Sequence, residues 1–476
     1  RFNDPPHRHG ETSSMKAAAL PGERPTNRRW VMFSLACGSS WFLYLHRYTW
    51  TIIRPMLKDD YDFSHTTLQT LHACFSFTYT AGQIPSGIIT DLFGSFLFLG
   101  IIIAAWSLVL PLIGLKANAY GLGLIRLMFG ASQAGCYPNL AKITKVWIPK
   151  SSRTTCQAII ASFFGRFGGA MSPIILSTVL IGICGFSWQG ALILMAAAGV
   201  MFAVVFFLNF RNSPEEDPRV NQAELDLIRE GEEEEEEGSG AVLHFGQAIQ
   251  NRSMAVFIFQ QFMNAGADFI YVALMGSYFF DRGFGFVAVG LLASLPLFGG
   301  AIGGLVGGVL NDVLIARTGS RRWSRTAVGF AGKFIAAGMM LVAISQSDGY
   351  TAAGCFFMVK FFSDWSQPTV WGTCTDMGGR YSASVFSIIN TAGGIGGITM
   401  VLSAGPFLDY FTEWQHVGWV IKRVTDYNPL FMIVAGMYVL SALSWFFIDC
   451  TNRLDGARST GEKNTDDLDN PHDIED

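Results

Sequence analysis

The stretch from Trp30 to Ile53 decides the fold, and it reads WVMFSLACGSSWFLYLHRYTWTII. It exceeds the roughly 20 apolar residues that a helix needs to cross the hydrocarbon core of a bilayer. Arg47 interrupts its second half. A charge at mid-bilayer costs about 2.5–3.5 kcal/mol on insertion scales, and charged residues inside spans usually have a function. The stretch therefore predicts a membrane span with a functional arginine.

Two further arginines occupy the same kind of position. Arg126 and Arg166 each lie within a later apolar run. If the three costs roughly add, they amount to about 8–10 kcal/mol. Buried arginines confined to one half of the chain are most simply explained by an anion that passes between the helices.

The composition is that of a membrane protein. Of the 476 residues, 50% are hydrophobic and only 15% are charged, with 52 glycines and 40 phenylalanines. A soluble domain carries about 25% charged residues. Nothing in the charge distribution indicates nucleic-acid binding. The eight cysteines form no CxxC or Cys/His spacing, so we interpret them as packing residues and expect no metal and no cofactor.

Twelve apolar runs are long enough to span a membrane, six on each side of a polar stretch. They lie at 30–53, 67–90, 94–115, 119–147, 154–183, 187–209, 253–280, 287–314, 325–346, 350–375, 382–410 and 428–449. This pattern predicts an all-α membrane protein with twelve transmembrane helices in two six-helix halves. The predicted domains are a disordered tail (1–29), a first half (30–210), an acidic linker (211–252), a second half (253–450) and a disordered tail (451–476).

The basic residues of the short loops predict the orientation. Loops on the side of the two termini hold most of the arginines and lysines, including Arg28, Arg211 and Arg321, whereas the opposite loops hold few. Basic residues accumulate in cytoplasmic loops. We therefore expect both termini in the cytoplasm, in the inner (plasma) membrane of a cell.

Each half carries the same turn motif after its second span. Gly87, Asp91 and Gly94 form the first copy, and Gly308 and Asp312 form the second. Two related six-helix halves with a site between them are typical of secondary transporters.

At these residues the chain resembles the major facilitator superfamily, whose cytoplasmic signature is Gly-x-x-x-Asp-Arg-x-Gly-Arg. The resemblance implies that this loop latches the inward gate. The first copy departs from the signature because Leu92 and Ser95 replace its arginines.

A narrower resemblance covers about 30–450 and points to the anion:cation symporter branch of sugar-acid and organic-anion carriers. It rests on four pieces that occur in order: Tyr44–Arg47, Tyr79–Pro85, Arg126–Pro138 and Asp376–Gly393. That branch usually has acids where this chain has His46 and Gln133, and those acids take up the driving proton. Either coupling has moved to other residues or the carrier is uncoupled.

Arg47, Arg126 and Arg166 are the predicted anion ligands. The planar fork of arginine binds a carboxylate or phosphate through two parallel hydrogen bonds and keeps its charge. For each, the alternative is an ion pair within the bundle. Two or three guanidiniums in one cavity suit a dianion or a phosphate-like group. Aromatic and polar side chains complete the predicted substrate site: Tyr44, Tyr79, Tyr271, Gln367, Trp371 and Asn390.

Three residues are candidates for ion coupling. Asp268 lies within the seventh span, where low dielectric favours proton uptake unless an arginine faces it. Asp364 follows Lys360 by four residues, so a local ion pair is its alternative role. His46 titrates near neutral pH, although the cation beside it disfavours a second charge.

The residues together predict a transporter rather than an enzyme. We expect a monomeric secondary active transporter that moves an organic anion by alternating access, with proton-coupled symport through a non-standard acid. The alternatives are an exchanger or uniporter for organic anions or phosphate esters, and a sodium-coupled symporter. The chain has no nucleophile elbow, P-loop or metal-ligand spacing, and its tails are too short for the output domain of a receptor.

Overall fold

The computed structural model describes residues 24–115, 118–149, 152, 156–157, 159–230, 250–378, 382–417, 420–452 and 454. The six-glutamate run of the linker, nearly all of the first tail and most of the second lie outside these residues. The described helices group into twelve passes, which confirms the predicted all-α architecture of two six-span halves.

The described helices of the first half cover its six predicted spans, and one of them runs through both the second and the third. They are α1 (Arg28–Arg47), α2 (Trp50–Tyr61), α3 (His65–Val109), α4 (Ala119–Ala134), α5 (Cys136–Trp147), α6 (Arg166–Pro173) and α7 (Trp188–Asn209). Wide π-helical turns, Ile159–Gly165 and Ile174–Ile183, flank α6 and complete the fifth span.

A short linker helix, α8 (Gln222–Arg229), precedes the second half. The second half contains α9 (Arg252–Ala273), α10 (Met275–Asp281), α11 (Phe286–Thr318), α12 (Arg321–Ile344), α13 (Gly349–Ser363), α14 (Ser366–Gly378), α15 (Ser382–Tyr410) and α16 (Asn428–Ser444). Between α15 and α16 the sequence analysis missed an antiparallel hairpin, β1 (Thr412–Val417) and β2 (Val420–Thr425).

Every third span is broken near its middle. The first breaks between α1 and α2, the fourth at Gly135, the seventh at Leu274 and the tenth at Asp364. A break frees backbone groups, and membrane proteins tolerate this only where protein or a water-filled cavity surrounds the chain. The broken spans are therefore the ones expected to line a central site.

Hydropathy separates the same spans from the rest. Seven described helices are long and apolar enough to cross a membrane by composition alone. They correspond to the third, fifth, sixth, eighth, ninth, eleventh and twelfth predicted spans. The breaks divide the first, fourth, seventh and tenth spans into shorter helices, and the second span is continuous with the third in α3.

The two halves meet tightly at the end of the molecule that carries the β-hairpin, called here the hairpin end. Asp409 of the second half caps α3 of the first: its carboxylate accepts from the backbone nitrogens of His65 at 2.7 Å and Thr66 at 2.9 Å. Arg54, fully buried at the end of the first span, donates to Ser277 Oγ at 2.7 Å. These bonds form a latch between the halves, because an acid at a helix N-terminus satisfies free N–H groups.

The linker packs against the start of α1, at the opposite end, called here the linker end. Glu224 is fully buried and accepts from the backbone nitrogens of Arg28 and Arg29, each at 2.9 Å. Burial raises the pKa of the Asp217 carboxyl, but hydrogen bonds from Arg219 and Arg28 outweigh it and hold that pKa at about 2. Asp217 therefore stays ionised near neutral pH.

The predicted gate motifs differ in how they are built. Gly94 breaks α3 with φ 75° and ψ 162°, and a Cβ there would lie 2.8 Å from the Asn212 side chain. The side chain of Asp91, in the same copy, lies outside the described residues. In the second copy, Asp312 is exposed, and Asp376 instead pairs with Arg325 at 2.7 Å. The start of α12 is therefore tied to the tenth span through Arg325.

Candidate anion-binding site

Arg47 ends α1, immediately before the break in the first span. Its guanidinium carbon lies 4.1 Å from the ring centroid of Tyr79, 5.0 Å from that of Tyr44 and 5.3 Å from that of Phe75. Aromatic faces attract a cation, and the attraction grows when water is excluded. The predicted neighbours Tyr44 and Tyr79 thus do surround Arg47, and they hold its charge without neutralising it.

Gln133 fixes the guanidinium from the fourth span. Its side-chain oxygen accepts from Arg47 Nε at 3.1 Å, and its own nitrogen donates to the Leu43 carbonyl at 3.3 Å. Arg47 Nη2 is buried and has no hydrogen-bond partner among the described residues. No carboxylate lies within ion-pair distance of Arg47 in the part of the chain that the structure describes. One nitrogen of the guanidinium therefore has no described acceptor in this conformation.

Arg126 lies beside this cluster and shares one of its rings. It is 2% exposed, and its guanidinium carbon lies 4.2 Å from the Trp50 ring and 4.7 Å from the Phe75 ring. Its Nε donates to the Leu71 carbonyl at 3.3 Å. No described acid pairs with Arg126. The structure therefore supplies no carboxylate for the ion pair that was the alternative to anion binding. Phe75 lies against both guanidiniums and Trp50 against that of Arg126, and neither ring was predicted from the sequence.

Arg166 joins the first half to the second. It begins α6, between two wide helical turns, and its Nη1 contacts the carboxylate of Asp364. The same nitrogen donates to the Gly300 carbonyl at 3.2 Å. Both partners belong to the second half, so the predicted alternative of an ion pair is present as a contact between the halves.

Lys360 is the centre of a charged cluster in the second half. Its Nζ lies 2.8 Å from Asp364 Oδ1, which is the predicted pair at helical spacing, and 2.8 Å from Asp268 Oδ2. Asp268 Oδ1 also accepts from the Tyr438 hydroxyl at 3.0 Å, and that hydroxyl lies 3.4 Å from the Tyr271 hydroxyl. Asp268 and Asp364, foreseen separately as coupling acids, are therefore linked through one ammonium.

Lys333 belongs to the same cluster and was missed from the sequence. It is fully buried in α12, contacts Asn264, and donates to Ser363 Oγ at 2.7 Å. Its ammonium lies 5.2 Å from the Tyr438 ring centroid. The signal was available, since Lys333 interrupts an apolar run as the three arginines do.

His46 makes contacts different from those of its neighbour Arg47. It is fully buried, and its Nε2 lies 3.1 Å from the Met195 carbonyl of the sixth span. A Cβ added at Gly199 would come within 2.4 Å of its ring. The ring therefore fills a close contact between two spans, away from the groups that surround Arg47.

The remaining predicted ligands occupy several places. Asn390 donates to Gln83 at 3.4 Å, which joins the eleventh span to the second. Gln367 is half-buried one turn after Asp364, and its backbone nitrogen donates to the Asp364 carbonyl at 3.1 Å. Trp371 is 37% exposed and packs edge-on against Phe386, with ring centroids 5.2 Å apart. The cationic residues therefore lie closer together than the predicted polar ligands do.

Two six-span halves with buried cations on broken helices define a membrane transporter rather than an enzyme. A sequence model of the Major Facilitator Superfamily matches residues 32–401. The chain belongs to this family.

Similar proteins agree with that assignment. A probable sulfoacetate transporter of Cupriavidus necator is 26% identical over 424 residues, which cover 88% of this chain and 94% of the relative. A probable galactarate/D-glucarate transporter of Bacillus subtilis is 23% identical over 453 residues, covering 91% and 94%. The crystal structure of a bacterial homologue of the human lysosomal transporter Spinster superposes with a TM-score of 0.65 at 15% identity, covering 90% and 95%. The last likeness concerns the fold alone.

Proposed function

We propose that this protein transports a small organic anion and that an acid group of the anion binds Arg47, with Arg126 behind it. One observation carries the proposal. Two neighbouring guanidiniums lie between helices of the first half, held by aromatic rings and amide or carbonyl oxygens but by no described carboxylate. Buried charges in proteins are normally paired, and the missing partner is supplied when a ligand binds.

The chemistry of the site favours a carboxylate or sulfonate. Arg47 has a nitrogen without a partner among the described residues, and hydrogen bonds to charged groups contribute about 1.5–3 kcal/mol each. The names of the two relatives, sulfoacetate and galactarate/D-glucarate transporters, support the same class of substrate. A sugar acid or another carboxylate is therefore the proposed substrate, and a phosphate ester is the alternative.

Alternating access requires two rigid bodies and a gate at each end. The latch of Asp409 and Arg54 supports a gate at the hairpin end. The basic loops at the linker end support a cytoplasmic location for that end and for both termini. The described conformation then has its periplasmic or external gate closed. We place the protein in the inner (plasma) membrane as a monomer.

The proposed coupling is proton symport through a non-standard acid. Asp268 is the more accessible acid of the second-half cluster, with 27% of its side chain exposed against 1% for Asp364. Protonation of Asp268 would remove its attraction for Lys360 and change the charge of the cluster. His46 lacks a described acid partner and is the weaker candidate. The alternatives are exchange or uniport, and sodium symport through carboxylate oxygens such as those of Asp268 and Asp364.

Uptake into liposomes that contain the full chain tests the function and the coupling. The panel would hold sugar acids, dicarboxylates, sulfonates and phosphate esters, each with an inward proton gradient, an inward sodium gradient or neither. We expect saturable uptake of an organic acid that the proton gradient drives above equilibrium, and Asp268→Asn should abolish only the accumulation. Exchange without accumulation would refute symport. No movement of any organic acid would refute the function itself.

A further inference from the structure

The charged cluster around Lys360, taken together with Arg166 of the first half, contains more positive than negative groups. Arg166, Lys333 and Lys360 are its cations, and Asp268 and Asp364 are its acids. Both carboxylates already bind Lys360, and Asp364 also binds Arg166. With all five groups ionised, the cluster keeps one positive charge that no described group balances.

Lys333 holds part of this excess charge. It has 0% exposure, and its described hydrogen-bond partners, Asn264 and Ser363, are neutral. A buried ammonium without an anion is unfavourable, because the low dielectric strengthens every unbalanced charge. An anion bound to the cluster would balance the positive charge of Lys333, so this charge favours anion binding.

Arg166 offers the place where an anion can bind. Its Nη1 carries both described contacts, to Asp364 and to the Gly300 carbonyl, and Nε and Nη2 donate to no described residue. The side chain is 24% exposed. The Nε–Nη2 edge is the edge that binds a carboxylate with two parallel hydrogen bonds. Arg166, the most exposed cation of the cluster, therefore has its Nε–Nη2 edge available for a carboxylate.

Tyr48 connects this cluster with the site at Arg47. It follows Arg47 in the chain, and its ring centroid lies 6.0 Å from that of Tyr44. A Cβ added at Gly169, one turn after Arg166, would lie 3.2 Å from the Tyr48 ring. Tyr48 therefore packs between the helix that carries Arg47 and the helix that carries Arg166.

We propose that the open edge of Arg166, with Lys360 and Lys333 behind it, binds a second acid group of the same substrate. The transported anion is then a dianion with an acid at each end. The inference rests on the proposed function, in which Arg47 binds the first acid group. Asp268 and Asp364 act as internal counter-ions that share Lys360 until the second acid group arrives. Dianion binding draws the two halves together, since Arg47 and Arg166 belong to the first and Lys360 to the second.

Two matched pairs of probes test the subsite, with binding measured on the full chain in lipid nanodiscs. D-glucarate and D-gluconate differ in one terminal carboxylate, and sulfoacetate and methylsulfonylacetate differ in one negative charge. We expect each dianion to bind about 10–100-fold more tightly than its monoanion, the equivalent of one charge-assisted interaction of about 1.5–3 kcal/mol. Arg166→Gln should reduce this ratio to within about threefold, because dianion binding weakens more than monoanion binding.

A second variant and a matched control separate this role from a structural one. Lys333→Met should reduce the same ratio even if Arg166→Gln folds poorly, and Arg317→Gln, which removes an exposed arginine near the linker end, should leave it unchanged. Equal binding of both members of each pair would overturn the subsite, as would equal weakening of both members by Arg166→Gln. A rise of monoanion affinity to the dianion level on adding chloride would show that a free anion fills the subsite, which also overturns the proposal. If no probe binds and the whole uptake panel fails, the proposed function fails instead.

Discussion

Replacing Gln133 by glutamate would place a carboxylate directly against the guanidinium that we assign to substrate binding. The Gln133 oxygen already accepts from Arg47 Nε at 3.1 Å, so the new acid needs no rearrangement to pair with Arg47. At an effective dielectric constant of about 20, opposite charges about 4 Å apart attract by about 4 kcal/mol. The substrate would lose part of that attraction to its internal competitor. A loss of about 1.5–3 kcal/mol corresponds to about 10–100-fold weaker binding at neutral pH.

The pH dependence distinguishes competition from simple damage. Lowering the pH protonates the introduced acid, so the Gln133→Glu variant should recover anion affinity as the pH falls, whereas the wild type gains none by this route. Gln133→Met is the matched control, because it removes the same hydrogen bonds without adding a charge and should show no recovery. The assay is binding of D-glucarate to the full chain in nanodiscs from about pH 8 down to about pH 4, near the ordinary pKa of a glutamate carboxyl. Unchanged or tighter binding at neutral pH would refute the assignment of Arg47.

Further predictions concern the Arg47 guanidinium, the break in α3 at Gly94, the Asp409 contacts at the hairpin end and the Glu224 contacts of the linker. Arg47→Lys should keep the charge but lose the planar fork, and weaken D-glucarate binding about 10–100-fold in the same titration. Gly94→Ala should lower the melting temperature, because a backbone conformation near φ 75° and ψ 162° costs a non-glycine residue about 1–3 kcal/mol. Asp409→Ala should open the hairpin end, seen as about fivefold faster maleimide labelling of a cysteine placed at Ser277, since a lost helix cap costs about 1 kcal/mol. Glu224→Gln should also lower the melting temperature, because it weakens the charged acceptor at the start of α1.

Each of these predictions has a contradicting result. Wild-type affinity in Arg47→Lys would mean that charge alone, rather than the fork, binds the anion. An unchanged melting temperature in Gly94→Ala would mean that the break in α3 relaxes without cost. If Asp409→Ala does not accelerate the labelling, the Asp409 contacts do not hold the hairpin end closed. Glu224→Asp is the matched control for the linker and should destabilise less than Glu224→Gln if the charge matters.

Much of the fold could be predicted from apolar runs, and the breaks within the spans could not. Run length gives the number of passes, because the bilayer sets a minimum for each. The breaks at Gly135 and Leu274 depend on packing between spans, which a single run does not encode. The hairpin after α15 was likewise missed, since its strands are short and lie in what composition indicates is a loop.

The site was predicted in part, for reasons visible in single residues. Arg47 was predicted because a charge in an apolar run is costly, and Tyr79 was predicted from the family resemblance of the second span. Phe75 was not, because an aromatic residue in such a run predicts packing until a cation is found above it. His46 is adjacent to Arg47 in sequence, yet successive residues on a helix do not face the same way, and its ring packs against the sixth span instead. Lys333 carried the same signal as the arginines and was overlooked.

Counterflow measures the central claim most directly, since the outward gradient of unlabelled substrate drives it and no ion gradient is imposed. Liposomes that contain the full chain and are loaded with unlabelled D-glucarate would be diluted into a trace of labelled D-glucarate, with Arg47→Gln as the paired variant and Arg317→Gln as the surface control. We predict transient accumulation of label with wild type and with Arg317→Gln. With Arg47→Gln the initial rate should fall by at least about 100-fold, as expected when one partner of a buried charged contact is removed. Equal counterflow by wild type and Arg47→Gln would contradict the claim that Arg47 binds the transported anion.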